Sequence, residues 1–552
     1  MRPLFLFITL CFFLQGVLYS QNIETLKTQK PFKISGGVNT GLRYFNQANQ
    51  LQSYQPLTYY ASLQLTPSIY GISLPFSFYY SKMNHRFNLP FLRFGITPSY
   101  KFITLKLGYA SHNFSKYSIS GMRIKGIGLS LNPGKFRFEI VRGTFKRDRG
   151  FSTINPMGIE MEDFSRKGYA VKLGVGSNKN FVDLIFARIE DSEAFTDSLN
   201  SYPAQSNVVS SIVSQFSLPY HLKVRAQIAG SIFTQNKEAI SFHEEDIPSS
   251  LSGTANYFNL NTSSILALAQ EYRIDYTSKR FSLGILYNRV DPGYRSFGTY
   301  YIRDDYRNLF INTSFRFKFG SISGGLGLLK DNLRNTKIAG TGRIIKKLNI
   351  ALNPSKEFSI NAQYNDFSTK QKAGNLPLND TIRIFQVNKN MSIMPRFMVR
   401  KNDKTHTISI SYMYADMVDK NEYTQQPKPI KTNMAQTQYL LTWEEYHIST
   451  GINISYNHFE TAVVQLSNYG PGLSFTTVFS EKSTITTSLR YFISKNNKNV
   501  GEMLYFQLDG HYAITKKQQL KLHLSISNAN YHNRSIPSYK NYRGVLSYQY
   551  NF

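Results

Sequence analysis

Apolar and polar residues alternate with a period of two along most of this chain. In residues 222–228, for example, Leu, Val, Ala and Ile alternate with Lys, Arg and Gln, and residues 520–527 follow the same rule. Successive side chains of a strand point to opposite faces, so each such segment has one apolar and one polar face. After residue 20 no stretch resembles an apolar helix of about 20 residues. The pattern therefore predicts amphipathic strands and argues against a helical membrane protein.

Short turns and longer polar connections tend to alternate between these strands. Outer-membrane β-barrels have this asymmetry, because their periplasmic turns are tight and their outer loops are long. The predicted short turns are residues 132–135, 177–180, 277–280, 319–321, 353–356, 401–404, 480–482 and 515–518. The longer connections lie near residues 45–57, 111–124, 147–166, 190–205, 235–262, 291–307, 369–383 and 419–432.

We therefore predict an all-β fold, a large transmembrane antiparallel β-barrel of about 26 strands formed by residues 32–552. Backbone polar groups must be paired inside a bilayer, and a closed sheet pairs them without leaving an edge. A length of 552 residues would suggest several soluble domains, but a closed barrel is one unit. A soluble β-sandwich is the alternative, and the polar face that runs along many whole strands argues against it.

The N-terminus has the pattern of a secretory signal peptide. Arg2 precedes an almost unbroken apolar stretch over residues 4–18, and Ser20 supplies a small residue for cleavage. We expect residues 1–20 to be removed, leaving a short N-terminal segment, 21–31, before the first strand. An N-terminal membrane anchor is the alternative, although the stretch is short for it. Cys11 is the only cysteine, so the mature protein should contain neither disulfides nor Cys-ligated metals.

The composition is aromatic and basic without being apolar overall. There are 41 Phe and 38 Tyr, and 64 Lys and Arg against 34 Asp and Glu give a net charge of +30. Phe and Tyr suit the aromatic girdles of a barrel, and the mean hydropathy of −0.32 suits a sheet that meets lipid on one face only. No nucleic-acid-binding module is recognisable, so we expect membrane lipid, and no nucleic acid, as a partner.

Charged residues at alternate strand positions are predicted to face the lumen. An Arg or Lys facing lipid near the bilayer midplane costs about 2–4 kcal/mol. Two interpretations remain open: the charges pair across strands and stiffen a wet interior, or they form a basic lumen that favours anions. The lumen-lining candidates are Lys106, Lys172, Lys223, Arg225, Glu271, Arg273, Asp275, Arg316, Lys318 and Arg490.

The final strand is rich in aromatic residues and ends in phenylalanine. Tyr548, Tyr550 and Phe552 fall on one face of this predicted strand. Such an ending resembles the signal read by the barrel-assembly machinery, which we therefore expect as a partner. Together with the signal peptide and the turn alternation, it indicates the cell outer membrane.

The sequence contains no recognisable catalytic or cofactor-binding motif. Nucleophile elbows, phosphate loops and zinc-binding helices are absent, so we expect no enzyme, no cofactor and no metal site. Residues 243–246, His-Glu-Glu-Asp, form the densest acidic and histidine cluster, and a solvated loop explains it better than a metal. The N-terminal segment is too short for a plug domain. In-folded loops, such as 147–166 or 235–262, or a partner chain are expected to close the barrel.

Several segments resemble poorly characterised, porin-like outer-membrane barrels of Bacteroidota. They are FGITPSYK at 94–101, LGY at 107–109, FSKY at 114–117, GIGL at 126–129 and NPGKFRF at 132–138. VDPGY at 290–294 and SFG at 296–298 resemble the same group more weakly. The resemblance implies an outer-membrane setting and provides no catalytic residue.

Two functions therefore stay open from the sequence. One is a porin-like channel or transporter with a basic lumen. The other is a structural or gating barrel within a surface or secretion assembly, since a wide barrel without its own plug suits both.

Overall fold

The structure, a computed structural model, describes sixteen segments of the chain. They are residues 32–48, 56–69, 72–73, 75–82, 93–146, 153–154, 160–161, 165–192, 203–242, 258, 260–375, 383–424, 428–480, 482–497, 499–531 and 538–552. The predicted signal peptide and the segment 21–31 lie outside them and remain predictions. Within these segments, no helix is long and apolar enough to cross a membrane.

Over the described residues, the fold consists of thirty strands. They are β1 Phe32–Ala48, β2 Leu57–Ile69, β3 Ile72–Ser73, β4 Phe76–Lys82, β5 Arg93–Ile96, β6 Ser99–Tyr100, β7 Ile103–His112, β8 Met122–Leu131, β9 Phe136–Lys146, β10 Thr153–Ile154, β11 Glu160–Met161, β12 Arg166–Gly176, β13 Phe181–Asp191, β14 Ser206–Leu218, β15 Leu222–Thr234, β16 Ser264–Thr277, β17 Phe281–Val290, β18 Tyr306–Phe317, β19 Gly320–Asp331, β20 Ala339–Leu352, β21 Phe358–Ala373, β22 Phe385–Lys401, β23 Lys404–Asp419, β24 Ile430–Trp443, β25 Ile448–Glu460, β26 Gln465–Ser480, β27 Ser483–Asn496, β28 Asn499–Thr515, β29 Gln518–Tyr531 and β30 Tyr539–Asn551.

All strands except β10 and β11 belong to one antiparallel sheet of 28 strands. β3 and β4 both pair with β2, and β5 and β6 both pair with β7, so each of these couples occupies one position in the ring. The sheet therefore has 26 positions. This confirms the predicted all-β barrel of about 26 strands.

The first and last strands close the ring. β1 pairs with β30 over twelve positions, from Gly37 opposite Asn551 to Ala48 opposite Lys540. Beyond the end of β30, the Phe552 amide donates to the Gly36 carbonyl at 3.0 Å, and the Gly36 amide donates to the Phe552 carbonyl at 3.2 Å. The C-terminal residue thus extends the seam, with its ring 5.4 Å from that of Tyr550.

The connections at the two ends of the barrel differ in length, as the sequence predicted. At the end that holds the chain's last residue, every connection between successive ring positions has two to five residues. At the opposite end most are longer, up to the 29 residues between β15 and β16. Antiparallel order places alternate connections at opposite ends. Outer-membrane barrels turn their short connections to the periplasm and their long ones outward.

The two faces of the sheet have opposite chemistry. On β15, Val224, Ile228 and Ile232 alternate with Lys223 and Gln227. Ile228 is 43% exposed although it is apolar, and exposed Leu and Ile side chains continue on the same face around the ring. Only a hydrocarbon environment makes a broad apolar band on the outer face of a closed sheet favourable. The chain is an outer-membrane β-barrel.

Candidate functional site

Two long-end connections fold back onto the polar face of the sheet. We call residues 113–121, between β7 and β8, loop A, and residues 291–305, between β17 and β18, loop B. Side chains at the contact between the two loops are almost completely buried: Tyr117 of loop A and Tyr294 of loop B are each 1% exposed. The two loops and the wall they cover form the most tightly packed part of the described lumen.

Loops A and B bind each other directly. The Tyr294 hydroxyl donates to the Tyr117 carbonyl at 2.7 Å, and their rings meet edge to face with centroids 6.1 Å apart. The Ser120 amide donates to the Gly298 carbonyl at 3.1 Å. A Cβ at position 298 would lie 2.4 Å from the Ser118 carbonyl oxygen, so only glycine permits this approach. Burial raises the pKa of the Tyr294 phenol far above its ordinary range, which keeps the donor protonated.

Loop B is fastened to the wall by Asn207 of β14. The Asn207 side chain donates from Nδ2 to the Arg295 carbonyl at 3.1 Å and accepts from the Phe297 amide at Oδ1, at 3.0 Å. Ser231 of β15 donates to the same Arg295 carbonyl at 2.6 Å. Asn207 is 1% exposed and Ser231 is fully buried. These polar groups of two neighbouring strands therefore satisfy the backbone of a loop that forms no strand or helix of its own.

Aromatic and ionic contacts complete the attachment. The Phe297 ring meets the Phe233 ring edge to face at 5.8 Å, and the Arg166 guanidinium lies 3.7 Å above the Phe297 centroid. In loop A, Lys116 forms an ion pair with Glu271 of β16. The Gln227 side chain of β15 donates to Ser115 Oγ at 2.9 Å. Stacked cations of this kind gain more where water is excluded.

The loops lie inside the barrel. They contact Gln227 and Ser231, which share a face of β15 with Lys223, whereas the exposed apolar Ile228 is on the other face. Loops A and B also start eight strand spacings apart, roughly 38 Å along the sheet at about 4.8 Å per strand. Segments of nine and fifteen residues meet more readily across the concave side of a curved sheet.

The in-folded loops cover one side of the wall. All buried apolar side chains of the described segments, except Val387 and Ala529, lie between Phe114 and Phe297. The inward faces of β8, β9 and β12–β17 contribute to this core. From β18 onward, almost every described inward side chain retains water contact.

Two predicted lumen residues, Lys106 and Lys172, share one carboxylate. Lys106 Nζ lies 2.9 Å from Glu139 Oε1, and Lys172 Nζ lies 3.0 Å from Glu139 Oε2. His112 adds a contact at 3.4 Å from Nδ1 to Oε1. Glu139 is 8% exposed, so its charge is compensated by neighbours and barely by water. Cross-strand pairing, the first of the two interpretations from the sequence, describes this cluster.

The predicted row on β16 is also internally paired. Glu271 bonds to Lys116 of loop A, and Arg273 Nε lies 2.7 Å from Asp275 Oδ2. All three lie on the face that carries the buried Ala267 and Ala269, opposite the lipid-facing Tyr272 and Ile274.

Four other candidates have no ion-pair partner within the described segments: Lys223, Arg225, Arg316 and Arg490. Lys223 stands directly opposite Asp275 on β16, and Arg225 stands opposite Arg273. Lys318 was predicted to lie on a strand and to face the lumen, and the structure corrects this. β18 ends at Phe317, and Lys318 lies in the two-residue turn to β19, so strand alternation no longer sets its direction.

The uncovered wall is lined mainly by amides and hydroxyls. Directly opposed residues on neighbouring strands share a face of the sheet. The pairing register therefore identifies the inward residues of each strand from those of its neighbour. One inward row runs from Ser409 through Gln438, Asn453 and Gly472 to Arg490. This wall is hydrophilic and carries scattered cations.

The sequence predicted in-folded loops and offered two examples, which stay predictions. The segments 147–166 and 235–262, like His243–Asp246, fall largely outside the described residues. In the part of the chain that the structure describes, the loops that pack inside are 113–121 and 291–305. FSKY at 114–117 and VDPGY at 290–294 belong to the segments quoted for the family resemblance, and Tyr294 and Tyr117 join them in the structure. In the described part of the chain, no group of three metal-ligating side chains is present.

Comparisons with known proteins place the fold only in general terms. No family model and no curated protein matches the sequence. A chain of the E. coli P pilus tip assembly intermediate PapC-PapD-PapK-PapG is 11% identical with a TM-score of 0.43, and the alignment covers 87% of this chain but 61% of that one. The FrpB iron transporter of Neisseria meningitidis is 10% identical, with a TM-score of 0.37 and coverages of 96% and 83%. Acinetobacter baumannii OccAB4 is 10% identical, with a TM-score of 0.30 and coverages of 94% and 98%. Similarities at this level carry no information about what this chain binds or moves.

Proposed function

We propose that the protein is a porin-like outer-membrane channel for hydrophilic solutes, narrowed from one side by loops A and B. The observation that carries the proposal is the asymmetry of the lumen. One part of the wall is covered by packed loops, and the described inward face from β18 to β30 is polar and largely water-accessible.

The width of the ring supports an aqueous path. Twenty-six positions at about 4.8 Å, tilted by about 40°, give a circumference of roughly 160 Å and a diameter of about 50 Å for a circular ring. Loops of nine and fifteen residues fill a small part of such a space. Barrels of sixteen to eighteen strands already leave a channel.

A preference for anions is the finer part of the proposal. Lys223, Arg225, Arg316 and Arg490 supply inward charge without an ion-pair partner in the described segments. Lys106 and Lys172 contribute less, because Glu139 already compensates them. Fixed charge on the wall attracts counter-ions, and salt weakens the effect by shortening the Debye length.

Purification in mild detergent followed by planar-bilayer recording tests the proposal. We expect a lone barrel that conducts in discrete steps and whose reversal potential in a salt gradient favours anions. A tightly bound stoichiometric protein, with no conductance after its removal, would instead identify an anchoring or gating barrel of a larger assembly.

A further inference from the structure

A row of four cations and one glycine spans five strands on the outer face, near the long-loop end of the barrel. Arg289, Arg307 and Lys330 are directly opposed on β17, β18 and β19, and Lys330 opposes Gly342 of β20, which opposes Lys370 of β21. The row contains no acidic residue. Like charges directly opposed on a sheet repel each other and destabilise the pairing.

A second outer row on neighbouring strands shows how the chain compensates charge elsewhere. Lys346, Asp366, Lys389, Asp416, Lys431 and Glu460 are successively opposed from β20 to β25. Their signs alternate strictly. The first row has no such internal compensation: only Arg289 is paired, with Asp291 at 3.0 Å, and within the described segments Arg307, Lys330 and Lys370 form no ion pair.

The cationic row borders an apolar pocket. On the same outer face, two residues nearer the short-turn end of each strand, lies another row of directly opposed residues. It consists of Tyr287, Leu309, Leu328 and Ile344. Leu328 and Ile344 are 46% and 43% exposed, which identifies this as the lipid-facing side. These four residues line a surface pocket of about 720 Å³ together with Arg307, Lys330, Gly342 and Lys370 of the row above.

Gly342 provides the gap at the centre of the row. A Cβ there would meet only the Lys370 carbonyl oxygen, at 3.8 Å, so the site is open above the backbone. Lys330 and Lys370 stand two strand spacings apart, about 10 Å, and long side chains converge over that distance. The row lies eight to twelve residues from the short-turn ends of its strands. At about 2.5 Å of height per tilted residue, this corresponds to the outer headgroup level.

We propose that this pocket binds a phosphorylated acyl lipid of the outer leaflet, with a phosphate over Gly342 between Lys330, Lys370 and Arg307 and an acyl chain along Leu309, Leu328 and Ile344. The phosphate supplies the negative charge that the row lacks, and charge-assisted contacts with Arg and Lys are the strong kind. The apolar row explains why a lipid, rather than a free anion, fits the site.

Native mass spectrometry of the detergent-purified full chain with diphosphoryl lipid A tests the site. We expect retention of the lipid by the parent, and about tenfold weaker binding for the triple variant Arg307→Gln, Lys330→Gln, Lys370→Gln. The matched control removes the same charge from the lumen face, as Lys223→Gln, Arg225→Gln, Arg316→Gln, and should bind the lipid as the parent does. A heat-modifiable gel shift verifies that each variant is folded.

Two further arms separate the possible outcomes. Gly342→Leu fills the gap without altering charge and should weaken lipid binding as well, which keeps the test valid if the triple variant misfolds. Inorganic phosphate should not displace the lipid at matched concentration. Equal binding of dephosphorylated lipid, displacement by free phosphate, or equal loss in the lumen-face control would overturn the proposal.

Discussion

Asn207 is the residue on which the position of loop B depends. Its buried amide satisfies both the Arg295 carbonyl and the Phe297 amide. Losing a partner of buried backbone groups costs about 1–3 kcal/mol. No apolar side chain replaces this double contact, so the loop is held at one defined place on β14.

Asn207→Ala should release loop B without unfolding the barrel. In a Cys11→Ser background, Ser296→Cys provides a unique thiol at a position that is 8% exposed in the parent. We expect its reaction with a water-soluble maleimide to accelerate about tenfold or more in the Asn207→Ala variant, as a loss of about 1.4 kcal/mol implies. Ser210→Ala, on the lipid face of the same strand, is the control. Unchanged labelling would show that Asn207 does not hold the loop.

Lumen cations without ion-pair partners should determine selectivity. The variant Lys223→Gln, Arg225→Gln, Arg316→Gln should move the reversal potential in a salt gradient toward cation preference. The same charge removed from short-end connections, as Lys279→Gln, Lys318→Gln, Lys356→Gln, should shift it less, because these residues are outside the strands. Equal shifts for both triples would contradict the assignment of the first three to the conducting wall.

At the scale of elements, the Glu139 cluster joins three strands, since its partners lie on β7 and β12 while Glu139 is on β9. Glu139→Gln leaves two lysines facing each other without a counter-charge. We expect destabilisation of about 3 kcal/mol, the low end for a broken buried pair because both lysines keep some water contact. Urea unfolding in lipid vesicles measures it. The double variant Glu139→Gln, Lys172→Gln should recover part of the loss, and no recovery would show that charge is not the cause.

The β1–β30 seam should depend on its last residue. Deleting Phe552 removes two backbone hydrogen bonds with Gly36 and the ring contact with Tyr550. We expect less assembled, heat-modifiable barrel in the membrane fraction. Phe552→Ala keeps the backbone bonds, so a defect as large as that of the deletion would assign the effect to the aromatic ring. Full assembly of the deletion variant would refute a role for this residue.

The sequence was sufficient to predict the strands and their two faces, but not the contacts between side chains inside the lumen. The alternation of apolar and polar residues is a local pattern, so it predicts which residues share a strand face. The β16 row of Glu271, Arg273 and Asp275 is an example. The contacts of Lys106, Lys172 and Glu139 join residues up to 33 positions apart, and register alone brings them together. The meeting of loops A and B, 177 residues apart, follows no local pattern. Lys318 shows the opposite error, in which alternation was extended past the end of a strand.

At the scale of the whole molecule, a closed sheet separates lipid on its outside from water in its lumen, and each face must suit its own surroundings. The outer face carries exposed Leu and Ile, and the inner face carries amides, hydroxyls and cations. Among the described residues, the packed loops sit on one side. We therefore expect solutes to pass along the inward face of β18–β30, beside loops A and B rather than through them.

Site-directed thiol modification during planar-bilayer recording tests this claim most directly. In a Cys11→Ser background, a sulfonate-bearing thiol reagent should shift the reversal potential toward cation preference for Gln363→Cys and Ser455→Cys, which are inward on β21 and β25. Ile454→Cys, on the lipid face, and Ala269→Cys, buried under the loops, should be silent. A shift for Ile454→Cys or Ala269→Cys, with none for Gln363→Cys and Ser455→Cys, would contradict the proposed conduction path.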